Sequence, residues 1–305
     1  MRLVFAGTPA AALPSLATLA DGEHRIELVI TRPDAEIGRH RIRTPSAVAA
    51  AATARGIPVL KTGRLDQDAT DRVRAAHPDL GVIVAFGALV REPLLSVPRL
   101  GWINLHFSLL PAWRGAAPVQ RSIMAGDHST GATVFRLVPE LDAGDILGIT
   151  RRPTGPDETA GEVLEALAES GAQLLADVVA ELADGTATSI AQAGAASLAA
   201  KLTIDDARID WDASGQSVYD RIRAVSPEPG AFTTVHGNRV KILKAHGAPD
   251  ATALPAGRIR SVHKRILAGT ATHPVELLSV QPSGKRPMPA ADWWRGISAD
   301  EVDAR

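Results

Sequence analysis

Short apolar runs alternate with stretches of helical periodicity through the first two-thirds of the chain. Residues 3–6 read as an apolar strand that stops at Gly7-Thr8-Pro9, and residues 11–19 as the helix that follows. Residues 26–31 form the next strand. A helix over 46–55 is entered through Pro45 and Ser46, residues 59–60 are a short strand, and 70–76 is helical. Residues 80–85 read as a buried strand with Val82-Ile83-Val84 as its β-branched centre. This alternation predicts an α/β fold with a parallel sheet covered by helices. In such sheets ligands bind beyond the carboxyl ends of the strands, where residues 104–111 and Phe86-Gly87 would fall.

The pattern changes after Asp184-Gly185. Residues 186–198 are rich in Ala, Ser, Gly and Gln without a large apolar face and read as a linker. Residues 199–212 open a second region, and 214–224 form a helix with Val218, Arg221 and Ile222 along it. Beyond Pro229, strands over 231–235, 240–245, 257–262 and 275–280 are punctuated by Gly and Pro, a spacing that suits a small β-barrel.

Composition narrows the class. The chain has 305 residues and a net charge of -1, enough length for two domains. Without cysteine there are no disulfides, thiolate nucleophiles or Cys-based zinc sites, which suits a cytoplasmic protein. The N-terminal stretch imitates a secretory signal, but Gly7-Thr8-Pro9 and Pro14 interrupt its apolar core. No apolar run reaches the about 18 residues that a membrane span needs. The histidines show neither H-E-x-x-H nor another metal-ligand spacing, so no metal is expected. Gly7-Thr8-Pro9 lacks the remaining glycines of a dinucleotide fingerprint and is not a phosphate-binding P-loop.

The chemistry concentrates in residues 104–115 and 141–145. Asn104 and His106 lie two apart in an extended segment and so share one face. Pro111 then turns the chain and keeps Leu110 out of the helical region. An amine attacking a formyl carbon must lose a proton while negative charge builds on oxygen, so it needs a base and an aimed donor. His106 and Asn104 suit those roles, and Asp142 would hold the imidazole and favour its cationic form. Taken alone, Asn104-x-His106 also suits an edge strand satisfying loop hydrogen bonds, and Asp142-Ala143-Gly144-Asp145 an ordinary turn.

Asn104, His106, the Ser108-Leu109-Leu110-Pro111 turn, Arg114-Gly115, Pro118 and Leu141-Asp142-x-Gly144 together resemble the signature of the folate-dependent formyltransferases. The likeness spans essentially the whole chain, from Phe5-Ala6-Gly7-Thr8-Pro9 to Gln281-Pro282-Ser283-Gly284-Lys285-Arg286, and runs to the branch whose acceptor is initiator methionyl-tRNA. It implies a Rossmann-like, mostly parallel catalytic domain over 1–185, a linker over 186–204, and an OB-like, tRNA-binding barrel over 205–305. By resemblance, Asn104, His106 and Asp142 are catalytic, while Ser108, Leu109, Leu110, Pro111, Phe86 and Gly87 lie against the formyl donor, 10-formyltetrahydrofolate. A monomer is implied. A small amine in place of tRNA, or water as in a formyltetrahydrofolate hydrolase, would use the same trio, and an RNA-binding protein would use none of it.

Two basic regions bear on those alternatives. Residues 31–45 hold Arg32, Arg39, Arg41 and Arg43 with prolines at 33 and 45, and read as a long loop without regular structure. In the resembling family this inserted loop grips the acceptor end, which assigns Arg39, Arg41 and Arg43 to tRNA. Residues 221–286 carry eleven Lys/Arg against three Asp/Glu, an asymmetry that would steer a polyanion.

Overall fold

In the computed structural model, which describes residues 1–37 and 41–305, the first apolar run forms β1 (Arg2–Gly7). Its Leu3, Val4, Phe5 and Ala6 are buried on both faces, as a strand in a sheet covered by a layer on each side requires. The chain folds back through α1 (Leu13–Asp21), with Pro14 in its first turn, into β2 (Arg25–Thr31), which pairs parallel with β1. A hairpin of β3 (Ala35–Ile37) and β4 (Ile42–Thr44) follows. Then come α2 (Ala47–Ala54), β5 (Val59–Lys61), α3 (Gln67–Ala75), β6 (Leu80–Val84) and β7 (Trp102–His106). Side chains cap both helices: Ser46 accepts from the Ala49 amide at 3.0 Å and Asp66 from the Ala69 amide at 3.2 Å.

Strands β5, β2, β1, β6 and β7 are parallel, as the alternation predicts. Beyond β7 the chain passes through β8 (Arg114–Gly115) and α4 (Pro118–Met124) to β9 (Ser129–Arg136), which runs antiparallel to β7. With β10 (Ile146–Pro153) the order is β10-β9-β7-β6-β1-β2-β5. The direction of winding reverses between β1 and β6, and one strand further on the carboxyl ends of β6 and β7 sit side by side, with Val84 paired to Leu105. The helix α5 (Ala160–Asp184) follows.

The contacts of the chain divide it into two units. One holds Met1–Pro118, Thr130–Arg152 and Leu164–Ala199; the other holds Val119–Ser129, Pro153–Val163 and Ala200–Arg305. Residues 186–199, with the composition of a linker, are hydrogen-bonded into the first unit. Ile190 bridges Ile146, the Ser197 amide donates to the Pro111 carbonyl, and β11 (Leu198–Ala199) pairs parallel with β8. Small side chains let this backbone approach closely: a Cβ on Gly115 would lie 2.7 Å from the Ala199 carbonyl oxygen.

The second unit contains α6 (Gly215–Ala224), capped by Ser214, then β12 (Phe232–Val235), β13 (Asn238–Gly247), β14 (Arg258–Val262), β15 (Arg265–Ala268), β16 (Val275–Pro282), β17 (Met288–Pro289), α7 (Ala290–Arg295) and β18 (Glu301–Asp303). The antiparallel order β12-β13-β16-β15-β14-β18 closes on itself. Val235 bridges Ala304, and Thr234 and Arg305 exchange backbone hydrogen bonds at 2.8 and 3.0 Å. Closure removes the sheet edges and encloses a core of Ile209, Trp211, Ile242, Ile259, Leu277 and Val302.

The structure departs from the sequence reading at two places. Residues 31–45 contain the β3–β4 hairpin, in which Glu36 faces Arg43 across the strands and pairs with Arg41 at 2.6 Å. Strand β15 also escaped the pattern, because the β14–β15 turn is built on His263 and Lys264 at φ 49° and 69° instead of the usual Asn-Gly.

Candidate active site

The site grows from the carboxyl end of β7. Strand geometry puts Asn104 and His106 on one face; His106 is buried and Asn104 half-buried. The amide of Asn104 has no hydrogen-bond partner among the described residues, so a ligand atom could take it. His106 is held tightly. Its Nε2 lies 2.8 Å from the Trp113 carbonyl oxygen, and its ring meets the Phe135 ring edge-on at 6.3 Å. A carbonyl only accepts, so Nε2 carries the hydrogen and Nδ1 keeps the lone pair in the neutral ring.

Asp142 stands on the Nδ1 side, its Oδ2 at 3.9 Å. That is ion-pair range but too long for a hydrogen bond, and the same oxygen accepts from the Gly115 amide at 2.8 Å. Asp142 does favour the cationic imidazole, as expected, but its carboxylate does not decide the outcome. Burial pushes the His106 pKa down, and the opposing pull of the carboxylate and the Trp113 carbonyl is smaller, so the net shift is downward and the neutral ring is favoured.

The turn after β7 is fastened by its own polar groups. The Ser108 hydroxyl donates to the Ala112 carbonyl at 2.6 Å, and the Thr133 hydroxyl donates to the Ser108 carbonyl at 2.6 Å. Leu110 is buried, while Leu109 and Pro111 are half-buried. From the neighbouring strand, Phe86 sinks into the core with Val4, Val90, Leu94 and Trp102, so it offers a ligand backbone only. Gly87, exposed at φ 77°, has open space where a Cβ would be. Of the three arginines assigned to tRNA, Arg41 and Arg43 are exposed on the hairpin, and Arg39 lies outside the described residues. Among the described residues, no group of three or more His, Cys, Asp or Glu could hold a metal ion, and no helix is long and apolar enough to cross a membrane.

Two groups at the site, Gln192 and Ser197, were missed by sequence reasoning. Gln192 accepts at Oε1 from Arg114 Nε (3.1 Å) and Nη2 (2.6 Å), and donates through Nε2 to the carbonyls of Asp142 (2.8 Å) and Gly144 (2.9 Å). Ser197 Oγ accepts from the Trp113 amide at 2.9 Å. Neither belongs to a periodic pattern, so no signal marked them. Trp113 and Asp142 sit in the left-handed region at φ 62° and 46°, backbone conformations that persist only where surrounding contacts over-determine them.

The basic bias of the second unit is smaller in three dimensions than along the chain. Asp220 pairs with Arg223, and Glu301 and Asp303 with Arg258; all three acids lie just outside the interval 221–286. Arg260, Lys264, Lys285 and Arg286 remain exposed.

Comparison with known proteins gives the family of the chain. The family model described as formyl transferase matches residues 1–179, and that of the formyl transferase C-terminal domain matches 201–298. The chain is 58% identical over 305 residues to the methionyl-tRNA formyltransferase of Clavibacter sepedonicus, covering 100% of both. It is 57% identical over 302 residues to that of Leifsonia xyli, covering 99% of both. Among solved structures, the N-formyltransferase from Helicobacter canadensis in complex with folinic acid and dTDP-3-aminofucose superposes with a TM-score of 0.68 at 16% identity, covering 90% of this chain and 98% of that one; this likeness shows the fold. With matched models over both regions and full-length relatives at this identity, the chain belongs to the formyl transferase family, in its methionyl-tRNA formyltransferase branch.

Proposed function

We propose that the chain transfers the formyl group of 10-formyltetrahydrofolate to the α-amino group of methionine on initiator methionyl-tRNA, acting as a cytoplasmic monomer. The observation that carries this reading is a buried imidazole 3.9 Å from a carboxylate, its pKa pushed down by burial, beside an amide without a partner among the described residues at the carboxyl end of a central strand. Such a group fits acyl transfer to a neutral amine, which needs a base poised below the amine's own pKa and a donor for the oxyanion. A folate-derived donor agrees with the open backbone at Gly87, where a flat ring could approach closely.

The donor supplies the formyl carbon that the amine attacks. Asn104 donates its amide N–H to the oxygen as negative charge develops there. His106 takes the amine proton at Nδ1, the atom that Trp113 leaves unprotonated, and Asp142 stabilises the imidazolium so formed. The proton then passes from His106 to the departing folate nitrogen, and the ring returns neutral. No covalent enzyme intermediate is needed. The hairpin arginines Arg41 and Arg43, together with Arg39, would meet the phosphates or bases of the acceptor end.

The test is formyl transfer from labelled 10-formyltetrahydrofolate with charged initiator tRNA, free methionine or no amine in parallel. Label on methionyl-tRNA alone is the expected result. Free formate without an acceptor would make the protein a hydrolase, and label on a small amine in preference to tRNA would place it among the small-amine formyltransferases.

A further inference from the structure

The chain enters the 186–199 segment with the composition of a tether, yet Gln192 behaves differently from its neighbours. Ala191 and residues 193–196 are exposed, whereas Gln192 turns inward and is half-buried. A side-chain amide has two N–H donors and a carbonyl with two lone pairs, and here all four are engaged. The oxygen takes two N–H groups from Arg114, and the nitrogen serves the carbonyls of Asp142 and Gly144.

We propose that Gln192 is a positioning residue for the formyl transfer assigned above, clamping the Asp142–Gly144 backbone so that the Asp142 carboxylate stays beside the His106 ring. The reasoning starts from Asp142. A non-glycine residue at φ 46° costs about 1–3 kcal/mol and is stable only when tied down at several points. Two ties are visible: its carboxylate accepts from the Gly115 amide at 2.8 Å, and its carbonyl accepts from Gln192 at 2.8 Å. A third acts two residues on, where a Cβ on Gly144 would lie 1.8 Å from the Arg136 carbonyl oxygen, so the loop is already pressed against β9. Without the amide of Gln192, two loop carbonyls lose their partner and Asp142 is free to leave the left-handed region. The carboxylate then drifts from its 3.9 Å position, and the Arg114 guanidinium is released with it.

The clamp is separable from a merely structural tether. Gln192→Ala removes both halves of the amide. Gln192→Glu keeps the oxygens that receive Arg114 but sets a carboxylate against two carbonyl oxygens, removing only the clamp on the loop. The expected result is that both variants lose about 10- to 100-fold in kcat, as a misplacement of about 1 Å does. KM for the formyl donor and for methionyl-tRNA should stay within about threefold of the unmutated values. In both, the His106 imidazole, followed by NMR in the intact chain without substrates, should titrate at lower pH than before, because a displaced Asp142 opposes the effect of burial less.

A Gln192→Ala protein with unchanged kcat and unchanged His106 titration overturns the proposal, even if it melts at lower temperature. A Gln192→Glu protein that behaves like the unmutated chain also overturns it, since the role then lies in tethering Arg114. If the unmutated chain transfers no formyl group to methionyl-tRNA, the functional reading falls, and the titration, which needs no turnover, still decides whether Gln192 holds Asp142 in place.

Discussion

Replacing Asp142 by asparagine tests the electrostatic core of the mechanism with little steric change. The asparagine carbonyl still accepts from the Gly115 amide, as Asp142 does at 2.8 Å, so the loop keeps that tie and the fold should survive. What is lost is a charge 3.9 Å from His106 Nδ1. Unit charges at that separation attract by about 4 kcal/mol at an effective dielectric near 20. The imidazolium is only partly formed in the transition state, so the loss should be about 3–4 kcal/mol, or about 10²- to 10³-fold in rate. Single-turnover transfer of labelled formyl to methionyl-tRNA measures this step directly. The pH profile supplies an independent sign. With neutral His106 as the proposed proton acceptor, kcat/KM should fall as pH drops through its pKa. Burial lowers that pKa and Asp142 opposes the fall, so removing the charge moves the acid limb to lower pH while the plateau drops. A rate within threefold of wild type, or an acid limb that stays put or moves upward, would refute the assignment.

Asn104→Ala or His106→Ala should lower the transfer rate by about 10²- to 10⁴-fold; the melting temperature should stay close to wild type for Asn104→Ala and fall for His106→Ala, which removes a buried ring bonded to the Trp113 carbonyl, while circular dichroism keeps the native fold in both. Gly144→Ala should destabilise the protein by about 2 kcal/mol or more in a thermal melt and reduce activity as well, since its Cβ would sit 1.8 Å from the Arg136 carbonyl oxygen and the Asp142 loop must move to relieve the clash. Arg41→Ala should raise KM for methionyl-tRNA more than KM for the formyl donor in initial-rate assays; an unchanged tRNA KM would leave the Arg41–Glu36 pair as a feature of the hairpin surface only.

The parallel half of the sheet was legible because each strand is a short apolar run flanked by glycine, proline or a helix cap, and these are local signals. Ser46 shows this well: it follows a proline, opens an alanine-rich stretch, and its hydroxyl caps α2. Two members of the proposed trio were placed together for a different reason. Asn104 and His106 are two residues apart on one strand, and a period of two places them together without any knowledge of the tertiary fold. The pairing of β3 with β4 and the strand β15 were not legible: Arg41 enters β4 at φ 52°, and the β14–β15 turn rests on His263 and Lys264 at φ 49° and 69°, conformations that glycine or asparagine usually announces. The charge bias of residues 221–286 misled in part: the acids that offset Arg223 and Arg258 lie outside the interval and reach it only in the fold.

By itself, then, the sequence determined which residues could do chemistry and which runs would be buried, because residue type, periodicity and turn residues act over a few positions. The tertiary structure decided the state of that chemistry. Burial of His106 outweighs the carboxylate placed near it, a balance of solvation against charge that depends on atoms from β7, β9 and the 137–145 loop. It also decided that Gln192, fifty residues beyond Asp142, belongs to the site, since hydrogen bonds act on distance in space and leave no period along the chain.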